Sequence, residues 1–158
     1  MSSGFVYFLL IALLSVIVIQ SPKVDLEKER AALLEVHRTD RQAHFETNAN
    51  LLLEHAADEF ISVNGGKINL ATRAEVKAMF EGYFKNAKYF EWDDLESPII
   101  RISDDASMAW MIVRTKVRRT QRLASGEQQE RAFVYSGIMT YEKQRGKWVR
   151  IANVSTFE

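Results

Sequence analysis

The 158-residue chain is long enough for one domain and a short appendage. Its 21 lysines and arginines balance 21 aspartates and glutamates, so no net field recruits nucleic acid, while 47% apolar content with nine Phe, five Tyr and three Trp can fill a core. There is no cysteine, which excludes disulfides, thiolate metal sites, a cysteine nucleophile and a lipid-modified cysteine behind a leader.

Residues 1–21 form the appendage. Phe5 to Ile19 is apolar except for Ser15, and no charged residue precedes Lys23. Such a run at the N-terminus reads as the hydrophobic region of an export signal. It is slightly short of the roughly 20 residues of a membrane span, yet no basic segment precedes it, and Ile19-Gln20-Ser21 followed by Pro22 is a poor cleavage pattern. A cleaved signal and an uncleaved membrane anchor both stay open. Either places the folded part outside the cytoplasm, in the periplasm or the extracellular space, with the membrane touched only through this segment.

Residues 22–24 are a linker, and Asp25 is the expected N-cap of a long helix running towards Asn48. Leu26, Leu33 and Leu34 start its apolar stripe, which His37, Asp40, Arg41, His44 and Thr47 continue before Leu51 closes it. Ala32, Val36, Thr39 and Ala43 on the other side offer little apolar surface. A buried ionisable group is costly unless paired or solvated, so a stripe that turns polar midway is expected to border a cavity. The bland alternative is a solvated face with local ion pairs.

Leu51 to Ala57 reads as a short second helix. Phe60 to Val63 and Lys67 to Leu70 flank Asn64-Gly65-Gly66 as a hairpin. Thr72 and Glu75 form a capping box, and Val76, Met79, Phe80, Tyr83 and Phe84 recur behind it as a third helix ending near Ala87. The period then becomes two. Tyr89 to Leu95, Ile99 to Ile102, Ala109 to Thr120, Gln129 to Lys143 and Trp148 to Phe157 are strands joined by short polar turns, an antiparallel meander. The class is therefore α+β, with three N-terminal helices packed on a strongly curved antiparallel sheet as a cone-shaped half barrel.

The long first helix, the short helix leading into Asp58-Glu59-Phe60-Ile61-Ser62-Val63-Asn64-Gly65-Gly66-Lys67-Ile68, the helix Arg73 to Phe84 and the closing segment Gly146 to Ser155 resemble the nuclear transport factor 2-like superfamily, in particular its SnoaL-like domains. The resemblance covers residues 25–158. It implies a fold that hosts isomerases, dehydratases, cyclases, carriers and association modules alike. It also implies that acid/base groups, where present, lie inside the cone. Neither an Asp-Arg-Asp set nor a Tyr-plus-Asp oxyanion pair maps onto this chain residue by residue, so no named reaction is carried over.

On these grounds Asp40 and His44 are the catalytic candidates. Asp40 lies one turn from both His37 and His44, so its carboxylate can orient one imidazole while the other ring nitrogen moves protons. A metal is not expected, because His37 and His44 lie roughly 10 Å apart along the helix axis, and no cofactor is expected. His37, Arg41, Tyr83, Trp92, Tyr135, Met139, Asn153 and Ser155 are the candidate ligand contacts. Asn153 and Ser155 are expected on one strand face with Val149 and Ile151. Arg114, Lys116 and Arg118 alternate on one strand face near Arg119 and Arg122, and cross-strand ion pairs with Glu127, Glu130 and Glu142 suit them best. Trp110 and Ile112 share that face, and the resemblance implies a homodimer through the outer sheet face. The expected partner is a small apolar or amphipathic molecule. The functional reading is a small-molecule binding domain; the alternatives are a cofactor-independent isomerase, dehydratase or cyclase using the Asp/His pair, and a homodimerising module whose pocket is filled.

Overall fold

A computed structural model describes residues 24–158; the expected signal or anchor in residues 1–21 lies outside them. Among the described residues, no helix is long and apolar enough to cross a membrane. The chain enters helix α1 (Leu26–Phe45) at Asp25, whose carboxylate accepts from the Lys28 amide at 3.1 Å. α1 stops three residues earlier than its periodicity suggests. Thr47 takes a left-handed φ of 50°, and the Thr47 and Asn48 amides donate back to the His44 and Ala43 carbonyls, closing the last turn.

Asn48 then caps a single turn, α2 (Ala49–Leu52). The rest of the expected second helix is a turn over Leu53 to His55 followed by extended chain: Ala56 and Ala57 open strand β1 (Ala56–Asn64), which hairpins into β2 (Lys67–Thr72). Gly65 and Gly66, at φ 56° and 75°, supply the left-handed pair that this two-residue turn requires. The Thr72/Glu75 capping box starts α3 (Arg73–Phe84). Strands β3 (Ala87–Asp94), β4 (Ile99–Ile102), β5 (Met108–Arg122), β6 (Gln128–Gln144) and β7 (Lys147–Phe157) follow.

The sheet has the order β2-β1-β7-β6-β5-β3, with β4 also on β5. It is mixed rather than wholly antiparallel, because β1 runs parallel to β7. Hairpin turns dictate antiparallel neighbours, but β1 reaches β7 only after the whole chain has gone round, and no turn constrains that pair's direction.

α1 packs across the inner face. Leu33 and Val36 meet Ile100, Met111, Val113, Met139, Tyr141 and Trp148, and near its other end Ala43 meets Leu52, Phe84, Tyr89 and Val117. Burying each large apolar side chain contributes about 1.5–3 kcal/mol. The start of α1 is pinned by Glu29, which accepts from the Trp148 indole at 2.9 Å and pairs with Lys143. The buried stripe takes in Val36 and Ala43 as well as Leu33, His37, Asp40 and His44, and leaves Arg41 outside, so it is rotated from the sequence expectation.

The outer face behaves differently. Arg114 pairs with Glu96, Lys116 with Glu91, and Arg118 with Glu130 and Glu91, so the basic stripe of β5 is neutralised across strands. Beside it an apolar row crosses the sheet through directly opposed positions: Ile99, Ile112, Ile138, Val154, Val63 and Ile68.

Candidate functional site

Two β-bulges decide what points at α1. In β7 the register slips between the pairs Thr140/Ala152 and Tyr141/Arg150, leaving Ile151 as the extra residue. Asn153, Ser155 and Phe157 face inward on one side of the bulge, and on the other side Arg150 and Trp148 do so in place of Ile151 and Val149. In β3 the slip lies between Tyr89 and Glu91, so Tyr89 faces inward before it and Trp92 and Asp94 after it. Each extra residue re-aims the side chains beyond it. Strict alternation therefore mis-assigns both segments, and Val149 does not share a face with Asn153.

Arg150 is the consequence in β7. Its guanidinium pairs with Asp40 Oδ2 from α1, donates to the Leu52 carbonyl of α2 at 3.3 Å, and lies 5.7 Å from the Phe60 ring of β1. Burial is the largest influence and opposes its charge, but the Asp40 carboxylate together with Tyr141 and Tyr135 outweighs it, and the pKa is raised. Asp94 is the consequence in β3. Its Oδ2 accepts from His37 Nε2 at 2.8 Å and its Oδ1 from the buried Thr115 hydroxyl at 3.1 Å. The Asp40 carboxylate thus orients neither imidazole, contrary to the spacing argument: one ring goes to Asp94, and His44 Nδ1 donates to the Asp40 backbone carbonyl at 2.7 Å.

His44 is enclosed by aromatic rings. It stacks on Trp92 at 3.7 Å between centroids and 23° between planes, and meets Tyr89 and Phe84 edge-on at 5.2 and 5.7 Å. Desolvation lowers its pKa to about 4, against the opposing pull of its bond to the Asp40 carbonyl and of the Asp40 carboxylate. Around Asp40 several polar atoms are enclosed without a partner: Asp40 Oδ1, Arg150 Nε, Tyr141 Oη and Asn153 Oδ1. Burial raises the pKa of Tyr141, so its phenol stays neutral. Tyr135 lies across Gly137, where a Cβ would come within 2.5 Å of its hydroxyl oxygen; only glycine lets that hydroxyl approach the Met139 sulfur, at 3.8 Å.

Nearer the β5–β6 turn, the inner face opens into a cleft of about 480 Å³ lined by Tyr83, Arg119, Gln121, Arg131, Phe133 and Phe157. The Tyr83 hydroxyl accepts from Tyr89 at 2.6 Å, and Phe157 packs on Tyr135 and Phe133 at 5.6 and 5.8 Å. A concavity of about 530 Å³ at the junction of α1, α2 and α3 is walled largely by charged and amide groups such as Glu46, Asn50, Glu81 and Lys85.

The expected site residues therefore separate. Asp40, His44, Tyr135, Met139, Asn153 and Ser155 lie on the inner face, Trp92 joins Tyr135 in the aromatic layer, and Tyr83 lines the cleft. His37 is held apart by Asp94. Arg41 is exposed, donating to the Trp92 carbonyl at 2.7 Å and to Asp93 at 2.8 Å over the Phe45 ring. Among the described residues, no group of three His, Asp or Glu side chains could hold a metal ion. Sequence reasoning missed Arg150 and Asp94, which the bulges hide, and Arg119. The last was legible: with Arg114, Lys116 and Arg118 facing out, alternation alone sends residue 119 inward.

No protein-family model matches the chain, and no curated protein matches it. Solved structures do. An NTF2-like protein from Cytophaga hutchinsonii superposes with a TM-score of 0.65 at 15% identity, over 81% of this chain and 97% of that one. A ketosteroid isomerase-like protein from Erwinia carotovora gives 0.63 at 15%, over 82% and 96%. A cystatin-like-fold protein from Caulobacter vibrioides gives 0.64 at 15%, over 83% and 90%. With its helices laid on one face of a seven-stranded mixed sheet, the chain has the nuclear transport factor 2-like, cystatin-like α+β fold.

Proposed function

We propose that this domain binds a small amphipathic molecule on the inner face of its sheet, in the cleft beside the β5–β6 turn. The cleft carries the reading. Its volume of about 480 Å³ falls in the range of roughly 300–1,000 Å³ usual for ligand sites. Tyr83, Phe133 and Phe157 give it flat apolar walls, and Trp92 and Tyr135 continue them inward. The isomerase alternative has less support: Asp40 is committed to Arg150, and a histidine with a pKa of about 4 is a weak base near neutral pH. Screening the purified chain against neutral and charged aromatic compounds by ligand-observed NMR tests this. Binders should lose about tenfold or more in affinity in Phe157→Ala, while the circular dichroism spectrum stays that of the wild type, because this side chain is 55% exposed. Binders indifferent to that change would place the site elsewhere and end the reading.

A second copy of the chain is the partner we propose for the outer face. The row from Ile99 to Ile68 is apolar at six successive strand positions, and Ile68, Ile99 and Val154 are exposed. With zero net charge, two copies meet without repulsion. Sedimentation velocity should show a dimer that Ile112→Lys converts to monomer; a monomeric wild type at every concentration would remove the proposal.

A further inference from the structure

Arg119 is unlike every other cation described above. It is only 9% exposed, and its Nε and Nη1 are enclosed without an acceptor. Among the described residues it makes no ion pair, although Arg41, Arg114, Arg118, Lys143 and Arg150 all do. Its guanidinium lies over the Tyr83 ring at 4.8 Å and 5.9 Å from that of Phe133. These rings attract the cation but do not neutralise it. Arginine cannot shed its proton to escape the cost of burial.

The position opposite makes the imbalance larger. β5 and β6 are in register with Arg119 directly facing the exposed Arg131, so two arginines are cross-strand neighbours on one face, a pairing that like-charge repulsion disfavours. Both line the cleft, with the Gln121 amide next to them and no carboxylate among the lining residues. An acid at either position would have cancelled the charge, as Glu91 and Glu130 do for Arg118 on the outer face. Here the positive charge is concentrated in a concave space whose remaining walls are aromatic.

We infer that the ligand of this cleft is an anion with a flat apolar body: a small aromatic or unsaturated carboxylate whose charged group is held by Arg119 and Arg131 and whose ring lies among Tyr83, Phe133 and Phe157. This rests on the reading that the cleft takes a small molecule, and it adds the sign of the ligand's charge. Guanidinium groups recognise carboxylates through charge-assisted hydrogen bonds, and enclosure among rings strengthens that attraction relative to open solvent.

The test compares 2-naphthoate with 2-naphthalenemethanol, which share the ring and differ in charge, by calorimetry and by NMR on the purified full chain. Naphthoate is expected to bind at least about tenfold more tightly than the alcohol, and Arg119→Gln to erase that difference. Arg131→Gln should reduce it. Because Arg119 lacks a counter-ion, Arg119→Gln should hold or raise the thermal midpoint without ligand, whereas a merely structural arginine would lower it. Equal affinity for the two probes, with shifts at Phe133 and Phe157, would overturn the charge inference and leave the binding reading standing. If neither probe binds, both fall. Inorganic phosphate displacing naphthoate would support the anion site, and displacement of the alcohol by phosphate in Arg119→Gln would count against it.

Discussion

Replacing Arg150 with methionine is expected to lower the unfolding free energy by about 3–5 kcal/mol, the usual cost of leaving a buried charge without its partner. Asp40 would keep its carboxylate at 8% exposure with neither oxygen paired, since Oδ1 already has no partner. The Leu52 carbonyl would lose its donor and Phe60 its cation at the same stroke. One residue on β7 ties α1, α2 and β1 together, so its loss should also loosen the junction between them. A second substitution tells charge from packing. In Asp40→Asn with Arg150→Met the orphaned carboxylate is gone, and a large part of the stability should return, because pairs at this distance do not behave additively. Urea unfolding of the two single variants and the double variant measures this. A loss below about 1 kcal/mol for Arg150→Met would put the pair in the range of ordinary surface salt bridges and refute its role as a brace.

Acid should weaken the fold through His44. As pH falls below about 6.5 the imidazole of the unfolded chain takes up a proton, whereas the folded one, buried among Trp92, Tyr89 and Phe84, stays neutral down to about 4. The unfolded state binds more protons in that window, so stability falls as pH falls. The contribution is complete above about pH 6.5 and gone below about 4, and a shift of this size corresponds to roughly 3 kcal/mol. His44→Phe keeps an aromatic ring on Trp92 and removes the titration. The stability difference between pH 7 and pH 4.5 should therefore be smaller in that variant than in the wild type. An NMR titration of His44 with its midpoint between 6 and 7 would contradict the enclosed geometry. The same result bears on catalysis, since only a histidine that titrates near neutrality could serve as the general base that its place on α1 suggests.

Much of the fold was legible because the relevant forces are local. The capping box at Thr72 and Glu75, the Gly65-Gly66 turn and the period-two runs of β5 to β7 each act over a few residues. The structure bears them out to within one or two residues for most elements. The misses share a different origin. Ala56 and Ala57 are good helix formers, but the Arg150 amide donates to the His55 carbonyl and β1 lies along β7, so pairing with a distant strand overrides propensity. Arg41 belongs to the helix face that spacing selects, but Asp93 and the Trp92 carbonyl hold it at the surface.

What the sequence determined by itself was the order and kind of the elements, the polar turn of the α1 stripe at His37, Asp40 and His44, and the alternation that splits β5 into a charged face and a buried one. Tertiary structure alone decided who faces that stripe. A single extra residue in β3 and another in β7 bring Asp94 and Arg150 inward, and a bulge arises from the register of two strands far apart in the chain, which no local pattern encodes. The three polar residues of α1 were thus readable as buried, while their partners, an aspartate, an arginine and a set of rings, existed only once the sheet had closed around the helix.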